Sequence, residues 1–180
     1  RRSGPRYLMY ETLAERTLAL AQQAKIENPA AGYSPYLERI LRPVLKTVKA
    51  NGIRVVSNFG AANPMGGAKK ILEMAREEGV AGLKVAVVEG DDLTAAMTEG
   101  DIRGHDPVEG IAMPDGKLVA ANVYLGARPI ADALALGADV VVVGRCADPA
   151  LALGPLLHEF GWSLDDLDRV VAADVALGHH

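Results

Sequence analysis

One feature constrains the fold of this chain more than any other: short apolar runs alternate with longer stretches carrying one apolar face. The runs cover residues 8–10, 53–56, 83–88, 118–125 and 139–143, and the last is the most apolar. Runs of this length separated by helical stretches of about ten to fifteen residues are the mark of βαβ units. The expected fold is therefore α/β: a mostly parallel sheet of about five strands with helices on both faces, Rossmann-like, the strand order left open. Right-handed crossovers then bring every strand's carboxyl end to one edge. Residues 1–180 are expected to form a single domain.

The helical stretches carry their own punctuation. Leu37, Ile40, Leu41, Val44, Leu45 and Val48 fall on one helical face, and Pro43 should break or kink that helix. Gly52, Gly79 and Gly137 follow helical patterns and read as stops. A helix with Leu13, Thr17, Leu20 and Ala24 on one side is expected after the first strand. Ser163-Leu164-Asp165-Asp166 resembles a capping box that opens a last helix to about Ala173. Residues 93–117 are the least patterned, with a short helix expected near 93–97 and a turn at Pro114-Asp115-Gly116. A stretch of that kind suits a lid or binding loop.

Composition narrows the partners. The net charge is −4 and Lys and Arg never run beyond a pair, which argues against nucleic acid and anionic membrane surfaces. A single cysteine, Cys146, precludes an internal disulfide and a multi-cysteine zinc site and fits a reducing compartment, so a cytoplasmic location is expected. No run approaches the roughly 18 apolar residues of a membrane span. The chain begins at Arg1 without a Met, so residues ahead of Arg1 are expected; His179 and His180 are either native or an added tail.

Ligands of open α/β sheets bind beyond the carboxyl ends of the strands. Those ends carry Glu11, Asn58, Gly60, Asn63, Glu89, Asp91, Asp92, Asn122, Tyr124, Arg145 and Asp148. The loops at 60–64 and 144–149 both end Ala-Asn/Asp-Pro ahead of a helix. Asn63 and Asp148 are either plain helix caps or part of an anion subsite at two helix N-termini, with Arg145 as a bidentate partner. Neither loop matches a dinucleotide or Walker A fingerprint. Glu89, Asp91 and Asp92 could hold a divalent metal such as Mg²⁺ or transfer protons, or Asp91 or Asp92 could cap the next helix. Glu11 is either a catalytic carboxylate or a first-turn acid. Cys146 reads as inert packing before it reads as a nucleophile. His105 reads as an exposed loop residue, and His158 as structural.

Several of these segments together resemble the acyclic terpene utilisation (AtuA-like) family. They are Tyr7-Leu8-Met9-Tyr10-Glu11-Thr12-Leu13-Ala14-Glu15, Asn58-Phe59-Gly60-Ala61-Ala62-Asn63-Pro64, Gly90-Asp91-Asp92, Tyr124-Leu125-Gly126-Ala127, Gly144-Arg145-Cys146-Ala147-Asp148-Pro149 and His158-Glu159-Phe160-Gly161-Trp162. The resemblance implies a catabolic context, in some members the degradation of terpenoids such as citronellol and geraniol. It does not imply a particular reaction. It also implies a longer protein, with a strand and Gly-rich turn ahead of Tyr7.

The functional expectation is an enzyme domain acting on an acyl-CoA or carboxylic acid, of hydratase or lyase type. Asn58, Gly60, Asn63, Asn122, Tyr124, Arg145 and Asp148 would bind the anionic substrate, and Glu11, Asp91 and Asp92 would do the chemistry. Two other readings stay open: an acyl-CoA or partner-binding module without catalysis, and a nucleotide-dependent oxidoreductase domain. A companion subunit, the remainder of a longer chain or a second copy are the expected protein partners.

Overall fold

In the computed structural model, residues 4–105 and 115–178 are described, with side chains through residue 173. Residues 106–114, including Pro114 of the expected turn, lie outside them, as do His179 and His180.

Four parallel strands make the sheet: β1 (Tyr7–Tyr10), β2 (Arg54–Ser57), β3 (Val85–Val88) and β4 (Val140–Val143), in the order β1-β2-β4-β3. Val140 stands level with Val55 on one side and Val85 on the other, so β4 is flanked by strands on both sides. The helices are α1 (Glu15–Glu27), α2 (Leu37–Leu41), α3 (Leu45–Ala50), α4 (Pro64–Glu77), α5 (Glu99–Arg103), α6 (Arg128–Ala135), α7 (Ala150–Phe160) and α8 (Leu167–Gly178).

Side chains alternate across a strand, so a strand buried on both faces feeds two cores. Val55, Val140 and Val142 pack with Leu37, Leu41, Leu45, Val48, Ile71 and Met74 of α2, α3 and α4. Val56, Val141 and Val143 pack with Ile130, Leu134, Leu151 and Leu157 of α6 and α7. Pro43 acts as its chemistry requires: a short 3₁₀ turn, Arg42–Val44, separates α2 from α3. Gly52 (φ 59°) and Gly79 (φ 68°) take the left-handed conformation just past α3 and α4.

The structure departs from the expected elements in three places. The fifth strand expected at 118–125 is absent. That segment makes only two isolated bridges, Asp92 to Asn122 and Leu125 to Cys146. The segment meets the chain past the ends of β3 and β4, at Asp92 and Cys146, rather than alongside either strand. α1 buries Leu18 rather than Leu20, which is 55% exposed, because it meets Leu13, Ala61 and Ala62 instead of the sheet. The Ser163 hydroxyl accepts from the Asp165 N–H (3.1 Å), making a turn of its own, and α8 begins only at Leu167. Among the described residues of the unpatterned stretch, the helical elements are a 3₁₀ turn at Leu93–Ala95 and α5.

Candidate active site

The chain leaves β2 into α4 on one face of the sheet and leaves β4 into α7 on the other. β2 and β4 are neighbours, so their carboxyl ends flank a topological switch point, where the diverging loops open a crevice. Arg145, one residue past the β4 loop's first glycine, sits at this point and is only 4% exposed. Its Nη1 donates to the Leu13 carbonyl (2.7 Å) and its Nη2 to Glu15 Oε1 (3.3 Å), with Asp148 Oδ1 3.7 Å away. The guanidinium lies 4.0 Å from the centre of the Tyr124 ring, a cation–π stack. Its Nε is buried without a hydrogen-bond partner. An unpaired buried donor is costly and uncommon, and calls for a specific explanation.

Beneath Arg145 lies Asp91, also 4% exposed. Its Oδ2 accepts from the Arg145 backbone N–H (2.8 Å) and from Asn122 Nδ2 (3.0 Å). Burial pushes this carboxyl above the ordinary aspartate range, against the pull of those hydrogen bonds. A side chain on Gly144 would place its Cβ 2.5 Å from Asp91 Oδ1, so glycine there makes room for the carboxylate. Asp91 therefore fastens the ends of β3 and β4 to the 118–125 segment.

Glu11 and Asn58 join the ends of β1 and β2. Glu11 Oε1 accepts from Asn58 Nδ2 (2.9 Å) and the Leu13 N–H (2.8 Å), and Asn58 Oδ1 accepts from the Thr12 N–H (2.9 Å). Asn58 is fully buried and Glu11 exposed. Gly60 lets the chain turn against β4, donating its N–H to the Val143 carbonyl (3.1 Å) where a Cβ would lie 2.6 Å from that oxygen. Next to it Ala61 takes a positive φ of 45°, a strained choice for a residue with a Cβ that the sequence did not announce.

The two look-alike loops behave differently. Asn63 caps α4, accepting from the Gly66 N–H (2.9 Å), and its amide donates to the Pro29 (3.0 Å) and Ala31 (2.7 Å) carbonyls. Its polar atoms are spent within the protein. Asp148 is not a cap: α7 starts at Ala150, with Pro149 preceding it and no side-chain cap bond. Its carboxylate instead faces Arg145, 56% exposed, and partial burial raises its pKa against the pull of Arg145, with Glu11 and Glu15 pushing the same way. Capping chemistry and site chemistry look identical in sequence, and only the helix start separates them.

Asp92 is the cap of the acidic loop, its Oδ1 accepting from the Thr94 N–H (3.0 Å), with Lys25 Nζ 3.8 Å from Oδ2. Glu89 is exposed. Among the described residues no three His, Cys, Asp or Glu side chains gather as a metal-binding group, and Glu89, Asp91 and Asp92 are no exception. Cys146 is fully buried, and burial pushes its thiol to about 12, the opposite of an activated nucleophile. His105 is exposed on its loop. His158 contacts Arg54 Nη1 (2.7 Å) at the strands' amino ends, away from the crevice.

Glu15 and Tyr124 complete the site; Tyr124 is one of the expected binding residues, and Glu15, in the first turn of α1, is not. The Tyr124 hydroxyl donates to Glu15 Oε1 (2.5 Å); that bond and Arg145 hold the Glu15 carboxyl below its ordinary range. Together with Leu18, Ala19 and residues 120–122, they line a cleft of about 250 Å³ over Arg145.

The sequence model of the acyclic terpene utilisation family protein AtuA matches residues 1–180. The chain belongs to the AtuA family. No curated protein and no solved structure matches it. The AtuA assignment implies a role in acyclic terpene utilisation. Among the described residues of this AtuA-family chain, no helix is long and apolar enough to cross a membrane.

Proposed function

We propose that the cleft over Arg145 binds the carboxylate of an organic acid, or of an acyl compound carrying one, and that Asp148 exchanges a proton with it. The observation that carries this reading is the buried Arg145 with its unpaired Nε. The Glu15 carboxylate, itself 76% exposed, occupies the outward side of the guanidinium and marks where a ligand carboxylate would sit. The acids around Arg145 set a condition: a second anion is accommodated when Glu15 moves aside and Asp148 is protonated. The raised pKa of Asp148 serves both that condition and general acid–base work.

The reaction class that fits is a hydration or elimination next to a carboxylate. Glu11 would take a proton from the carbon beside the acid group, the carbon–carbon double bond would form, and the β-hydroxyl would leave as water with the proton given up by Asp148. Glu11, fixed by Asn58, is the second carboxylate within electrostatic reach of Asp148. Asp91 and Asp92 take structural roles in this reading. The sheet order, with its switch point between β2 and β4, supports a doubly wound, Rossmann-like description.

Calorimetric titration of short carboxylic acids tests the binding step. Arg145→Gln should reduce affinity at least tenfold, and an unchanged affinity would refute the assignment. Asp148→Asn distinguishes an enzyme from a binding module, since it should abolish appearance of the conjugated acid's ultraviolet absorbance while sparing binding.

A further inference from the structure

Helix α1 stands between two clefts. Glu15, Leu18 and Ala19 line the 250 Å³ cleft over Arg145, whereas Thr17, Leu20, Ala21 and Ala24 line a second cleft of about 440 Å³ against residues 31–36. On a helix these sets point in opposite directions, so α1 is the wall between the clefts. The second cleft is apolar for most of its surface, with Tyr33, Pro35 and Tyr36 facing the helix.

We propose that α1 is a movable partition, and that its displacement joins the two clefts into one chamber for an amphipathic acid, its carboxylate on Arg145 and its hydrocarbon chain along Leu20, Ala21, Ala24, Tyr33 and Tyr36. This rests on the carboxylate reading above and extends it to the remainder of the ligand. Of the thirteen residues of α1, only Leu18 is buried, and Leu20 and Ile26 are more than half exposed. A helix so placed draws little stability from packing. Exchangeable polar ties hold it instead. Arg145 Nη1 grips the Leu13 carbonyl, Tyr124 and Arg145 grip Glu15, and Lys25 Nζ donates to the Ala62 carbonyl (2.7 Å). Ala14 and Asn28, at its two ends, are extended, so α1 is bounded by non-helical joints.

The geometry couples the ligand to the movement. Glu15 is a built-in carboxylate on Arg145, and a ligand carboxylate that replaces it frees the Glu15 side chain from both Arg145 and Tyr124, leaving the Leu13 carbonyl as the remaining tie of that end to Arg145. A small acid needs only the first cleft, whereas a longer chain also gains the apolar one, so affinity should rise with chain length.

The test is a thermal-shift and calorimetric series of straight-chain monocarboxylates from acetate to decanoate on the whole chain. Burial of each added methylene is worth up to about fourfold in affinity. Ala24→Trp and, separately, the milder Leu20→Gln should flatten the series toward its acetate level. Amide exchange across residues 15–27 should change when decanoate binds and not when acetate binds. An affinity independent of chain length, or length dependence that survives both variants with exchange of α1 unaltered, overturns the partition while leaving Arg145 as the anion anchor. Failure of every acid, acetate included, to bind overturns both.

Discussion

Replacing Gly144 with alanine should be among the most damaging single-methyl additions in this chain, and the cause can be traced to one side chain. The new Cβ would lie 2.5 and 2.6 Å from the two carboxylate oxygens of Asp91 and 2.7 Å from its Cγ. Gly144 is not in the left-handed region, so its backbone conformation does not itself demand glycine. Asp91 must therefore move, and movement strips its Oδ2 of the Arg145 N–H and the Asn122 amide. Hydrogen bonds to a charged group are worth roughly 1.5–3 kcal/mol each, and a carboxylate left buried without them costs more. Partial relaxation preserves some of this, so the expected loss is about 2–4 kcal/mol. Urea unfolding with an unchanged m-value measures it. The decisive control is the cycle with Asp91→Ala, where the clash is gone and the added methyl should cost little. A coupling of about 2 kcal/mol between the two positions is expected. A cost of Gly144→Ala under about 0.5 kcal/mol, or one as large without Asp91 as with it, would show that crowding of Asp91 is not the cause.

Other consequences follow from the same geometry. Because burial raises the folded-state pKa of Asp91 above its unfolded value, its ionisation is harder in the folded chain than in the unfolded one. Its contribution to stability therefore falls as pH rises through the ordinary aspartate range to the raised pKa, and Asp91→Asn should remove that slope from a stability–pH profile. Asn63→Ala removes the α4 cap and both ties to residues 29 and 31. It should cost about 1–2 kcal/mol for the cap alone, with faster amide exchange at Ala31. Cys146 should resist alkylation in native protein and react only after denaturation, as a fully buried thiol pushed to about 12 requires. Carboxylate binding at the cleft should strengthen as pH falls through the raised pKa of Asp148 while the ligand stays ionised, and Asp148→Asn should abolish that dependence.

What the sequence determined by itself is what depends on near neighbours along the chain. The Asn63–Pro64 start of α4, the break at Pro43 and the stops at Gly52 and Gly79 were legible because caps, ring closure and positive φ act within one turn. The valines of β4 announced a strand buried on both faces for the same kind of reason. The convergence of polar loops on the carboxyl edge also followed from the βαβ pattern. Tertiary structure decided everything that turned on which groups already had partners. The 118–125 segment reads as a strand, yet it crosses past the ends of β3 and β4 and meets them through isolated bridges to Asp92 and Cys146. Asn63 and Asp148 occupy matching places in matching loops, yet one is consumed as a cap and the other faces Arg145, because α7 begins after Pro149. Asp91 and Asp92 are adjacent in the chain, but one is buried under Arg145 and the other caps a 3₁₀ turn. Local sequence sets what a carboxylate can do. Burial and distant partners, contributed by residues more than fifty positions away in the case of Asp91 and Arg145, set what it does.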